Sequence, residues 1–330
     1  MYVEPAVAED TVFVGSCSGV YYALDAHTGA IRWSFDMSFD AAETTFHTNP
    51  VLVDDLVITA SDGGSFGDIY AFDRKTGEIR WQHLPPHGQV AADLIHVKGL
   101  LLALTKNGHL VALDAKDGSE RWTVGPAKEA APEGGSVLAD GNTIFLAGRD
   151  EHVYAIRPTD GSILWTRDLG SPVSTSLAKF DDHLYVGCDS NLLYRLDAEN
   201  GEITGLFETE EDPGGKLLAF PDAVVFLGHE PSTLIAAVDA NLTKILWTAE
   251  ARDWTTVRPA VWSDLLLIGD KGGNLFALNP HDGTTAWTDL LSGQLRGIGV
   301  TEHTIFIGTI EGKLYAYQVA DPESGVGESR

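Results

Sequence analysis

Apolar positions along this chain recur in short alternating runs of four to six residues, each closed by a turn residue. No stretch sustains the 3.6-residue apolar period of an amphipathic helix, so the pattern predicts strands nearly throughout. One phrase marks the register. It reads Tyr22-Ala23-Leu24-Asp25, Tyr70-Ala71-Phe72-Asp73, Val111-Ala112-Leu113-Asp114 and Tyr154-Ala155-Ile156-Arg157 in the first half. It returns as Tyr194-Arg195-Leu196-Asp197, Ala236-Ala237-Val238-Asp239, Phe276-Ala277-Leu278-Asn279 and Tyr315-Ala316-Tyr317-Gln318. A period of about 42 residues built from short strands is the sequence mark of propeller blades.

Each phrase extends into a longer pattern. Four residues past the Asp position stands glycine (Gly29, Gly77, Gly118, Gly161, Gly201, Gly283), and four further on stands tryptophan (Trp33, Trp81, Trp122, Trp165, Trp287). The sixth copy has Thr243 in the glycine place and keeps Trp247; the fifth keeps Gly201 and has Gly205 in the tryptophan place. Asp-x-x-x-Gly reads as a hairpin turn, with the carboxylate bonding local backbone and glycine supplying positive φ. A large ring at one fixed place per repeat predicts burial between neighbouring blades, its N–H on a backbone carbonyl. Upstream lie two further strands, such as Val12-Phe13-Val14-Gly15 and the shorter Arg258-Pro259-Ala260-Val261-Trp262. The expectation is an all-β, eight-bladed β-propeller of four-stranded antiparallel blades, running inner to outer with the tryptophan strand outermost. Blades fall at about 5–48, 49–88, 89–132, 133–170, 171–212, 213–253, 254–294 and 295–320, followed by a tail, 321–330.

In the eighth copy Pro322 and Val326 occupy the glycine and tryptophan places, so that blade is expected to supply three strands and to borrow a fourth from residues 1–4.

The Ala-x-Asp-x-x-x-Gly-x-x-x-Trp pattern is similar to the tryptophan-docking motif of PQQ-type quinoprotein propellers, a repeat shared with the BamB family of outer-membrane assembly lipoproteins. The resemblance spans residues 5 to about 320. It implies that Trp33, Trp81, Trp122, Trp165, Trp247 and Trp287 dock between adjacent blades. No tryptophan is followed by Asp, which separates the pattern from WD40 repeats. Quinoprotein dehydrogenases of this superfamily hold PQQ with calcium in the central site, and many carry a vicinal cysteine pair. The two cysteines of this chain, Cys17 and Cys188, are 171 positions apart, the connections are mostly short, and no calcium-ligand set with a catalytic Asp is evident. No cofactor is therefore expected; PQQ with calcium is the alternative.

Charge narrows the partners. The formal net charge is -26. Such a surface repels phosphates and anionic headgroups, which argues against nucleic acid and against direct membrane insertion. The acidic residues are dispersed and lysines number only ten, as in proteins of extreme halophiles. No apolar run of about 18 residues occurs. The start lacks a signal-peptide pattern, which places the protein in the cytoplasm if the chain is complete and outside the cell or in the envelope if a signal or anchor was removed.

Other patterns resolve as hairpins: Gly15-Ser16-Cys17-Ser18-Gly19 lacks the helix of a nucleophile elbow, and Gly308–Leu314 lacks P-loop spacing. Among eleven histidines only His83, His87 and His47 are placed to share a face. The residues opening each innermost strand should ring the central channel: Glu4, Asn49, Asp93, Ser136, Ser176, Lys216, Arg258 and Arg296, with His47 and Thr48 adjacent. Of these, His47, Asn49, Asp93, Ser176, Lys216, Arg258 and Arg296 are the candidate binding residues. Two loops, Phe35–His47 with Met37, Phe39 and Phe46, and Arg252-Asp253-Trp254, offer aromatics that either suit protein recognition or pack over the blade edges. The reading is a monomeric, non-catalytic platform for a protein or peptide, BamB-like by resemblance. The alternatives are a PQQ-dependent oxidoreductase and the sensor domain of a larger receptor.

Overall fold

The computed structural model describes residues 4–37, 45–46, 48–61, 67–86, 88–90, 92–125, 136–255 and 257–318. Its described strands form eight separate antiparallel sheets, seven of four strands and one of three, and no helix occurs among the described residues. Within each sheet the strands follow chain order, as short hairpins dictate. Numbered by sheet, the blades span 6–36, 51–83, 95–124, 136–168, 178–208, 213–250, 260–290 and 295–318. First strands of neighbouring blades lie against one another, and Ala6–Ala8 of blade 1 approaches Leu295–Val300 of blade 8. The first strands therefore form the inner ring and the ring closes: an eight-bladed β-propeller. Blade 8 has three strands among the described residues. The expected fourth, from residues 1–4, falls almost entirely outside them.

The second and third strands of each blade are the most apolar and the most buried; Thr11–Gly15, Leu56–Ala60 and Ala223–Gly228 are buried at every position. The core lies between sheets. One cluster joins Ile58, Ile69 and Trp81 of blade 2 to Leu101, Val111 and Leu113 of blade 3, and another joins Val225 and Trp247 of blade 6 to Leu266 and Ile268 of blade 7. Each fully buried aliphatic side chain contributes about 1.5–3 kcal/mol, so stability resides in the interfaces between blades.

The repeat phrase now has a geometric reason at each position. Its alanine sits directly across from the tryptophan of the next strand: Ala23 from Trp33, Ala71 from Trp81, Ala112 from Trp122, Ala155 from Trp165, Ala237 from Trp247, Ala277 from Trp287. A methyl leaves room for the ring, and a β-bulge follows each of these pairs. The ring then leans onto the next blade. The indole N–H of Trp33 donates to Arg74 O (2.9 Å), Trp81 to Ala115 O (3.2 Å), Trp122 to Pro158 O (2.8 Å), Trp165 to Ala198 O (3.2 Å) and Trp247 to Pro280 O (2.9 Å). The acceptor is always the residue after the turn position held by Asp, Asn or Arg.

The turn glycine answers both demands at once. Gly118 has φ +70°, and a Cβ on it would stand 2.6 Å from Cε3 of Trp81. Gly283 repeats this against Trp247, with φ +71° and the same 2.6 Å. Glycine is required by the backbone and by the neighbouring ring together. In blades 1–3 an arginine just before the tryptophan also reaches back to the turn: Arg32 to Asp25, Arg80 to Asp73 and Arg121 to Asp114.

Candidate functional site at the channel mouth

Antiparallel order puts the start of every inner strand, and the loops joining one blade to the next, at the same face of the ring. The docking hairpins lie at the opposite face. Two residues before the inner strands come Glu4, Asn49, Asp93, Ser176 and Arg258. The side chains of Asn49, Asp93 and Ser176 reach the adjacent blade. Glu4 N donates to Asn49 Oδ1 (2.7 Å) and Asn49 N donates to Asp93 Oδ1 (3.1 Å), linking blades 1, 2 and 3. Leu177 N donates to Ser136 Oγ (3.0 Å) and Leu217 N to Ser176 Oγ (3.1 Å), linking blades 4, 5 and 6. A side-chain acceptor in these two arcs takes a backbone N–H that no strand partner reaches. Thr48, buried beside Asn49, caps its own blade through Ala60. His47 lies outside the described residues.

Charge is sorted around this mouth. Glu4 and Asp93 stand in blades 1 and 3, two serines in blades 4 and 5, and Lys216, Arg258 and Arg296 in blades 6, 7 and 8. Blades 3 and 7 face each other across an eight-membered ring. The Arg258 guanidinium nevertheless donates to Asp93 Oδ2, 165 positions away in the chain. This ion pair spans the channel. Its side chains are 52% and 26% exposed, so it is solvated on one side and easily exchanged. Lys216 is half-buried and its ammonium has no hydrogen-bond or ion-pair partner among the described residues.

The loop aromatics divide. Phe46 is fully buried and packs on Tyr21 and Tyr70, Phe35 packs on Tyr70 and Phe72, and Met37 joins the same cluster, so this part of the first loop serves the core. Phe39 lies outside the described residues. Trp254 is 38% exposed, with the Lys271 ammonium 4.5 Å from its ring centroid. Trp262, in the inner strand of blade 7, donates its indole N–H to Thr301 O (3.0 Å), an additional tie to blade 8 that lies outside the repeat register.

A calcium-bound quinone would need carboxylate and amide oxygens gathered at the channel. Among the described residues no group of three or more His, Cys, Asp or Glu is placed to hold a metal ion. Both Asp93 oxygens are already engaged by Asn49 and Arg258. Cys17 is exposed in a turn, while Cys188 is buried at a strand end with its thiol pushed up to about 12 by burial. His83 is half-buried and burial lowers its pKa; its expected neighbours His87 and His47 fall outside the described residues.

Against this geometry the comparisons are informative. The family model described as outer membrane protein assembly factor BamB matches residues 2–125, 106–204 and 230–324. The chain belongs to the BamB family. A BamB-family relative from Moranella endobia is 26% identical over 303 residues, covering 85% of this chain and 76% of the relative. One from Yersinia pestis is 23% identical over 207 residues; that match covers 60% of this chain and 51%, about half, of the relative. The crystal structure of BamB from Moraxella catarrhalis superposes with TM-score 0.80 at 19% identity, covering 96% of each chain, which speaks to the fold alone.

Proposed function

We propose that this BamB-family propeller is a non-catalytic platform that binds a protein partner. The observation that carries the reading is the family match over most of the chain, to a family described by its part in outer membrane protein assembly. The architecture supports it: the repeat residues are spent on docking blades to one another, and the docking hairpins lie at the face opposite the blade-joining loops. Trp254 and Leu84, 38% and 54% exposed, both stand on blade-joining loops, where an amphipathic ring and an aliphatic side chain suit a protein surface.

A photo-crosslinking amino acid at position 254 or 84, introduced in the native host, tests this. The expected result is a discrete adduct with one partner protein, lost when the same group is placed on the docking-hairpin face. The reading fails if neither position yields a protein adduct. It fails equally if purified protein takes up PQQ and calcium stoichiometrically in equilibrium dialysis; no uptake is expected.

A further inference from the structure

The channel mouth carries a feature that neither the repeat nor a partner on the outer loops accounts for. In a chain with 48 acidic and 22 basic residues, three consecutive blades each carry a basic residue in or just before the inner strand: Lys216 within Pro213–Ala219, Arg258 two residues before Ala260–Trp262, and Arg296 within Leu295–Val300. Basic groups brought to one mouth attract anions, and here their sign opposes that of the molecule as a whole. The central cation of the three, Arg258, meets a carboxylate that comes from the far side of the ring. Asp93 is anchored there by the Asn49 N–H on its other oxygen, so it keeps a partner when Arg258 leaves. Lys216, one blade away, has no partner among the described residues.

We propose that the basic half of the mouth is an anion site for a ligand with two carboxylates, and that Asp93 occupies it as an internal stand-in. One incoming carboxylate replaces Asp93 on Arg258 with the bidentate geometry a guanidinium favours. The second meets the Lys216 ammonium. The exchange trades one ion pair for another at Arg258 and adds one at Lys216. Because the Arg258–Asp93 pair crosses the channel, occupancy also opens the lumen. The site is distinct from the loop-face surface argued above, and its failure would leave that reading standing.

Two probes separate the sources of such a ligand: succinate, and the peptide acetyl-Ala-Ala-Ala-Glu, whose last residue carries both carboxylates. Each is titrated calorimetrically into wild type and variants, at the lowest salt that leaves the thermal melt unchanged. Asp93→Asn removes the competitor and is expected to tighten binding by up to about fivefold, the strength of an exposed ion pair. Arg258→Gln is expected to weaken it by about tenfold or more, the loss of a charged hydrogen bond. Lys216→Gln, at a half-buried surface position, gives the same readout should Arg258→Gln not fold. Binding of succinate alone assigns a free dicarboxylate, and binding of the peptide alone assigns a chain end. The proposal is overturned if neither probe binds Asp93→Asn, or if removing either cation in a folded variant leaves the affinity unchanged.

Discussion

Between blades 2 and 3, Trp81 lies over Gly118 and hands its indole N–H to Ala115 O. Between blades 5 and 6 the same contact is made from the opposite set of sizes. Gly205 stands where the ring would be, and directly across from it the motif alanine has become Arg195. A Cβ on Gly205 would lie 3.3 Å from Cβ of Arg195, so the arginine occupies the space the indole vacates. Its guanidinium donates to Ala240 O (3.2 Å) and Asn241 Oδ1 (2.7 Å), and the Tyr185 hydroxyl donates to the same Ala240 carbonyl (2.9 Å). Ala240 follows the turn aspartate of blade 6 and is the counterpart of Ala115. With no ring overhead, the turn of blade 6 has no need of glycine: Thr243 sits there, Leu242 takes the positive φ (+57°) and is buried in the interface. The missing tryptophan and the missing glycine are one event seen from two blades. What the ring must satisfy at each junction is a filled volume and a bonded carbonyl, whichever residues supply them.

The largest effect should come from removing a ring outright. Trp247→Ala at the junction of blades 6 and 7 is expected to cost about 3–5 kcal/mol in chemical denaturation; a cost under about 1 kcal/mol would deny the docking contact its structural weight. Next comes the partner glycine. Gly283→Ala combines a left-handed backbone with a Cβ inside the indole contact and should cost about 2–4 kcal/mol, whereas Thr243→Ala, at the equivalent place without a ring, should cost about 1 kcal/mol, the loss of its hydroxyl bond to Asp239. Equal losses at the two sites would break the comparison. The swap itself can be cycled. Gly205→Trp alone should destabilise by about 1–3 kcal/mol because Arg195 fills the site. Combined with Arg195→Ala and Thr243→Gly it should recover most of that loss, a non-additivity that only contacting residues show.

The smallest effect is the response to acid. Bonds from Arg121 hold the Asp114 carboxyl below the usual carboxylate range, and the Thr76 N–H does the same for Asp73. A depressed folded value means that the stabilisation is present above the unfolded carboxylate value of about 4 and is lost as pH falls through the folded ones. The melting temperature should drop below about pH 4, and the drop should shrink in Asp114→Asn, read by thermal denaturation across pH.

The fold was legible because Ala, Asp, Gly and Trp each answer a separate geometric demand and recur in register. The arginines at 32, 80 and 121 recur one place before the ring in blades 1–3 only, and the same spacing argument could have found them there. The Arg195–Gly205 swap was visible only as two departures from the pattern; their link is a contact across strands that periodicity does not carry. Register places Glu4, Asn49, Asp93, Ser176 and Arg258 alike, two residues before their inner strands, but irregular pairing in blades 6 and 8 shifts Lys216 and Arg296 into theirs. That Arg258 and Asp93 join hands across the lumen could not be read this way, because register gives a residue's place on its own blade and says nothing of the diameter its side chain spans. Phe46 shows the same limit: the sequence left this loop's aromatics to recognition or to packing, and only the structure turns Phe46 into the cluster beneath it.

Because each ring from Trp33 to Trp247 presses on the turn of the blade that follows, the unit that heredity can copy or delete without damage is not a blade but the span from one ring to the next turn. Cutting between blades 5 and 6 would set an arginine-filled junction against a glycine turn, or an indole against Thr243 and Leu242. These two blades should therefore travel through gene duplication as a couple.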